Sequence, residues 1–136
     1  MEKNYMDKKF LDYSALLALV SAVKASEDAD AADDLELIDM AITGCFNYVK
    51  AVDAGEQQIL LASYRFEGDE YREMVSRYDT LRHNAHEGAI SNVKLLNNLA
   101  KSYAVDPVFT GDITQRLEVA DFCLDITVAL FENRKL

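Results

Sequence analysis

At 136 residues, half of them hydrophobic and 28% charged, the chain can bury one core, and its composition is globular rather than disordered. One proline and five glycines are too few for an all-β fold with a turn roughly every ten residues, so helix is expected almost throughout. The formal charge is −10, and residues 1–64 alone hold five lysines against twelve acids, a field that repels nucleic acid and anionic membrane surfaces alike.

A first helix is expected from about Asp7 to Ala25, on a stripe of Phe10, Tyr13, Leu17, Val20 and Lys24 widened by Leu16 and Val23. Ser14, Ala18, Ala22 and Ala25 make a small-residue flank that another helix could approach closely. The polar start Met1–Lys9 and the short apolar run Leu16–Val23, broken by Ser21, form neither an export signal nor a membrane span, which points to the cytoplasm. Residues 26–34 read as an acidic surface loop or helix start. An EF-hand is rejected there: Asp28 and Asp30 suit loop positions one and three, but Ala32 stands at five and Asp33 at the required glycine.

Helix two is expected to begin near Asp33 or Asp34, with Leu35, Ile38, Ile42, Cys45, Phe46 and Val49 as its stripe. Continuing that phase carries Asp53 and Glu56 into the core, so a kink or restart is expected at Asp53-Ala54-Gly55. A second segment then carries Ile59, Leu60, Tyr64 and Phe66 to a stop at Gly68. Helix three, capped by Asp69, runs toward Asp106-Pro107, about 36 residues or roughly 54 Å, so the fold is elongated or the helix bends at Gly88. Its stripe includes Tyr71, Met74, Val75, Tyr78, Leu81, Ala85, Ala89, Val93, Leu96 and Ala100. After a loop over 105–111, Asp112 and Gln115 resemble a capping box for helix four, which is expected to reach about Asn133. Its stripe is Ile113, Leu117, Ala120, Leu124, Thr127, Val128 and Phe131, with Phe122, Cys123, Ile126 and Leu130 adding apolar surface on its other sides. A helix apolar on so many sides is central or covered by a partner subunit. Arg134 and Lys135 suit its C-terminus. Cys45 and Cys123, each inside an apolar helical run, read as buried free thiols rather than a disulfide.

The densest polar information lies between Tyr78 and Glu87. Projection at about 100° per residue puts Arg82 and Asn92 within the stripe of helix three, His86 at its edge beside Asp79, and His83 nearer solvent. A core-facing arginine needs a carboxylate or carbonyl partner, for which Asp39 and Asp121 are the candidates. Arg116 raises the same question on helix four. Arg82, Asn92 and Arg116 are read first as a structural network fixing helix register. The alternative is a pocket binding a small anionic ligand through Arg82, with His86, Asn92 and Asp79 around it.

Asp79, His83 and His86 could also offer three metal ligands from one helix, but no paired Glu-x-x-His motif accompanies them, and no metal or cofactor is assigned. No catalytic residue is assigned either: neither cysteine has a neighbouring histidine, and there is no glycine-rich phosphate loop. Arg77 and His83 form an Arg-x5-His pair that resembles the Arg-x4-6-His signature of HEPN ribonucleases, small all-helical proteins whose arginine and histidine act together on the RNA backbone. Tyr78 departs from the polar residue usual after that arginine, and the acidic charge opposes RNA.

The segment Arg82-His83-Asn84-Ala85-His86-Glu87-Gly88-Ala89-Ile90, with the following Leu95-Leu96-Asn97-Asn98-Leu99, resembles a family of small uncharacterised bacterial helical proteins. The resemblance implies an all-α fold and bacterial origin, and it brings no activity. The expected fold is one all-α domain over residues 1–136, an elongated four- to five-helix up-down bundle with helices two and three antiparallel. The expected function is a non-enzymatic cytoplasmic interaction or binding protein, a homodimer through the surplus apolar surface of helix four. The alternative is a ligand sensor or an enzyme, metal-dependent or HEPN-like, built on Asp79, Arg82, His83 and His86.

Overall fold

The computed structural model describes residues 11–131, without the side chains of Leu130 and Phe131. Phe10, Asn133, Arg134 and Lys135, which figured in the helix ends, lie outside that range. Four helices make up the described residues: α1 (Tyr13–Ala25), α2 (Ala31–Ala62), α3 (Gly68–Ser102) and α4 (Arg116–Phe131). The fold is all-α, and the one β-type contact noted is a bridge between Leu11 and Phe109.

α1 starts at Tyr13, where the Asp12 carboxylate caps it by accepting from the Ala15 N–H at 3.1 Å; the expected start near Asp7 lies outside the described residues. Asp12 also donates its own N–H to the Val108 carbonyl, so the residues before the helix run along the 108–109 loop. The buried line is Ala15, Leu16, Leu19, Val20 and Val23; Leu17 is half-buried and Lys24 exposed, so the apolar face is rotated from the expected stripe. Of the small-residue flank, Ser14, Ala18 and Ala25 are exposed and Ala22 is half-buried.

α2 begins three residues earlier than Asp34 and passes through Asp53-Ala54-Gly55 without a break. The expected restart is unnecessary because the inward positions after Cys45 are Tyr48 and Val52, not Val49 and Asp53. From Cys45 they step to Tyr48, Val52, Gly55, Ile59 and Ala62 in alternating intervals of three and four. That is a 3.5-residue seam, as in coiled coils, rather than the 3.6 of a straight helix. Asp53 and Glu56 are thereby left in solvent. Tyr64 and Phe66 fall beyond the helix end and are exposed, not core.

α3 follows the same rule: Tyr71, Val75, Tyr78, Arg82, Ala85, Ala89, Asn92, Leu96, Leu99 and Tyr103 alternate by four and three, and none of them is exposed. Asp69 lies in its first turn, with Glu67 at the cap position. The helix is unbroken at Gly88 and stops four residues before Asp106. Its end is a Schellman turn, with Val105 N–H to Ala100 O at 2.9 Å and Ala104 N–H to Lys101 O at 3.2 Å. Ala104 takes the left-handed φ of 55° where glycine is usual. Asn97 ties the next loop to α3: its Oδ1 accepts from the Val108 and Phe109 N–H groups and its Nδ2 donates to the Phe109 carbonyl, at 3.0–3.1 Å.

α4 starts at Arg116, later than expected, and the capping pattern is shifted. The Asp112 carboxylate accepts from the Thr114 N–H and hydroxyl, and Glu118 rather than Gln115 accepts from the Asp112 N–H. The buried face is Val119, Phe122, Cys123, Ile126 and Ala129, joined by Thr127, whose hydroxyl donates to the Cys123 carbonyl. Leu117, Leu124 and Val128, placed in the expected stripe, are outside. The inner face wins because its 3–4 spacing holds no charge, whereas Asp121 interrupts the outer one.

The core joins α1 and α4 to the parts of α2 from Ile38 to Tyr48 and of α3 from Ala89 to Ala100. Further along, α2 buries only Gly55 and Ala62, and α3 before Ala89 buries nothing fully. The two long helices therefore continue past the four-helix core, packed on one another. No helix of the described residues is long and apolar enough to cross a membrane.

Candidate functional site

Where the enclosed core ends, four polar side chains from two helices gather. Tyr48 comes from α2, and Tyr78, Arg82 and His86 come from successive turns of α3; the charge of Arg116, at the exposed first position of α4, bears on Tyr48, Tyr78 and His86. Tyr78 and Arg82 occupy the seam that faces α2, so their spacing, not chance, turns them inward. Tyr78 fits there because Gly55 has no side chain: a Cβ on Gly55 would come within 2.6 Å of the Tyr78 ring. The Arg82 guanidinium lies 5.5 Å from the Tyr78 ring centroid, and the Tyr48 and His86 rings are 6.4 Å apart at 50°.

Arg82 does not reach Asp39 or Asp121. Its ion pair is with Asp79, three residues before it on the same helix, at 3.3 Å and with both side chains substantially exposed (39% and 58%). Such a pair contributes little. It uses one terminal nitrogen and leaves Arg82 Nε buried without a partner. The Tyr78 hydroxyl and His86 Nδ1 are buried and unpartnered as well. Three unsatisfied buried polar atoms in one cluster are unusual, since such groups normally find a bond.

The electrostatics are mixed. Burial pushes the Tyr48 phenol up, helped by Cys123 and opposed by Arg116 and Arg82. Burial likewise raises Tyr78, and the Glu56 carboxylate beside its hydroxyl adds to this, against the charges of Arg82 and Arg116. His86 is held below its ordinary value by burial first and by Arg116 second, which favours the neutral imidazole at neutral pH.

The other candidate residues separate from this cluster. Asn92 packs against Gly44, whose missing side chain accommodates it, beside a groove of about 250 Å³ that Tyr48, Ala85 and Gly88 also line. Asp79 and His83 are exposed, and no group of three or more His, Cys, Asp or Glu able to hold a metal ion occurs among the described residues. Arg77 is paired with Glu73 at 2.7 Å on the surface. Cys45 and Cys123 are free, fully buried and adjacent; the neighbouring Cys45 thiol and burial push Cys123 far up, which suits packing rather than nucleophilic chemistry. Sequence reasoning missed Tyr48, because its stripe followed Val49; the alternating three-four spacing was the available signal. It also missed Asn97, whose loop partners no periodicity reveals.

Among the described residues, large apolar side chains are exposed on α4 and at the far end of the long pair. On α4, Leu117 is 74%, Leu124 49% and Val128 44% exposed. At the far end of the long pair, Leu60 and Leu61 are 54% and 63% exposed, and a groove of about 260 Å³ runs between Gly55, Ile59, Met74, Tyr78 and Leu81.

The family model described as "Protein of unknown function (DUF3232)" matches residues 9–136. The chain belongs to that family. No curated protein and no solved structure matches it.

Proposed function

With that membership as premise, we propose that the protein is a non-enzymatic binding module that pairs with a second copy of itself through the outer face of α4. The observation that carries this reading is the exposed line Leu117, Leu124 and Val128 on a helix whose opposite face is fully buried. With Asp121 between them these positions continue the alternating four-three spacing, which suits a helix packed on a helix. Exposed large apolar side chains lined along one helix face suit an interaction surface, and the two-fold homodimer is the commonest homo-oligomer.

The remaining features agree with a binding role in one domain. Gly44 meets Asn92, Tyr48 meets His86 and Gly55 meets Tyr78, contacts that support an antiparallel α2–α3 pair within an up-down four-helix bundle. The acidic field suits a cytoplasmic partner that is neither nucleic acid nor membrane.

Sedimentation equilibrium tests the pairing. Wild type is expected to be dimeric at tens of micromolar and to tighten as salt rises, because salt screens repulsion between two chains of charge −10. Leu124→Glu is expected to give a folded monomer, while Leu60→Glu keeps the dimer. A wild-type monomer at several hundred micromolar, or a dimer unaffected by Leu124→Glu, overturns the proposal.

A further inference from the structure

We propose that the groove between α2 and α3 at the far end of the long pair is a docking site for an amphipathic helix of a partner protein, one that carries lysine or arginine beside its apolar stripe. This surface is distinct from the outer face of α4, and occupying it does not depend on self-association.

The case starts from where apolar side chains are left in solvent. Of nine large ones exposed among the described residues, five are Leu60, Leu61, Tyr64, Phe66 and Leu81. Single exposed apolar residues need no explanation, but five gathered at one end of a fold suit a surface built for contact. Among them runs the groove of about 260 Å³ walled by Gly55, Ile59, Met74, Tyr78 and Leu81. Arg77 is the one charged residue that lines it, and Glu73 pairs with that arginine at 2.7 Å. In a chain that is 28% charged, a lining with one neutralised charge has the composition of an interface centre.

The walls set the shape of the occupant. Both are helices whose inward positions alternate by three and four residues, and their enclosed half is covered by two further helices, α1 and α4. The pair keeps the same spacing past the core, so a third helix packs on it there as ridges into grooves.

Charge sets the occupant's polar residues. Arg72, Arg77 and Arg82 are paired with Asp69, Glu73 and Asp79 on their own helix. Asp53, Glu56, Glu67 and Glu70 make no ion pair among the described residues, and between residues 53 and 81 only Arg65 is left to set against them. Glu56 stands beside the Tyr78 hydroxyl in the groove wall, and Glu70 lies one turn before Met74 on α3. Carboxylates on both helices around an apolar groove favour a cationic flank and reject an acidic one. The net charge of −10 steers the same choice at longer range.

The test is titration of the full chain with a synthetic helical peptide about 18 residues long, roughly 27 Å, with leucines at alternating intervals of three and four and lysines elsewhere. One peptide is expected to bind per chain, gaining helical circular dichroism and moving NMR signals at residues 55–59 and 74–81. The same peptide with glutamate in place of lysine is expected not to bind. Leu81→Glu, at a position already 44% exposed, is expected to keep the fold and weaken binding by about tenfold or more. Glu56→Gln combined with Glu70→Gln is expected to weaken it by about fivefold and to flatten its salt dependence. Leu124→Glu is expected to bind the peptide as wild type does, which separates this site from the pairing face of α4. No saturable binding at roughly 1 mM lysine peptide, signals that move on α4 instead, or equal binding of the glutamate peptide overturns the proposal. Binding to neutral phosphatidylcholine vesicles that Leu81→Glu abolishes overturns it as well, because the groove would then meet lipid rather than a helix.

Discussion

The two ends of the α2–α3 pair are built on one spacing but live in different surroundings. From Ile38 to Tyr48 and from Ala89 to Ala100, α1 and α4 close over the seam, and Val93 and Leu96 are fully buried. Past Val52 and before Ala85 the same seam continues outside the core that α1 and α4 close, and its deepest positions on α2 are Gly55 and Ala62. Large apolar side chains suit the enclosed half, where area removed from water stabilises most. In the open half a small residue on α2 lets Tyr78 lie close to the backbone. Spacing sets which residues face the partner helix; the number of layers above them sets how much each is worth.

The largest contrast is expected from leucine truncation. Leu96→Ala, in the enclosed half, is expected to cost about 3 kcal/mol in urea unfolding, while Leu60→Ala in the open half stays within about 0.5 kcal/mol. Equal losses would show that the far end of the pair is covered by something else.

Two glycines sharpen the comparison. Gly55→Ala drives a methyl against the Tyr78 ring and is expected to destabilise by about 1–2 kcal/mol. Gly88→Ala meets nothing within 4 Å and is expected to stabilise by about 0.5–1 kcal/mol through helix propensity alone. Calorimetry of both variants checks the signs.

The smallest effect belongs to the boundary between the halves. His86 faces Tyr48 on α2 and Arg116 on α4, with His83 and Glu87 on its own helix, and its pKa lies below the ordinary 6.5. The unfolded chain therefore takes up a proton there more readily than the folded one. That share of the stability is complete above about pH 6.5 and declines as pH falls below it. His86→Gln is expected to flatten this part of the stability-against-pH curve, measured by urea unfolding at pH 5.5 and 7.5.

Much of this was legible in the sequence. Helix almost throughout, the length of the third helix, and the placement of Arg82 on its inward stripe followed from periodicity and breakers. The restart at Asp53 was misread because the stripe was carried on from Phe46 and Val49, one residue off the line through Cys45, Tyr48 and Val52 that faces inward. On α4 the two apolar faces are similar enough that hydrophobicity alone chose the wrong one, and only contact with Cys45 and Phe109 settles which is inside. The partners of Arg82 were also misread, since a carboxylate three residues away on the same helix was nearer than those on other helices. Tyr48 meets α3 only through tertiary packing, which no local pattern encodes.

The claim that the outer face of α4 is an interface is tested most directly by hydrogen–deuterium exchange of the full chain, at protein concentrations well below and well above the association midpoint. The expected result is added protection over residues 117–128 at high concentration, with residues 56–81 unchanged. Protection that grows at the α2–α3 tip instead, or nowhere, would contradict it.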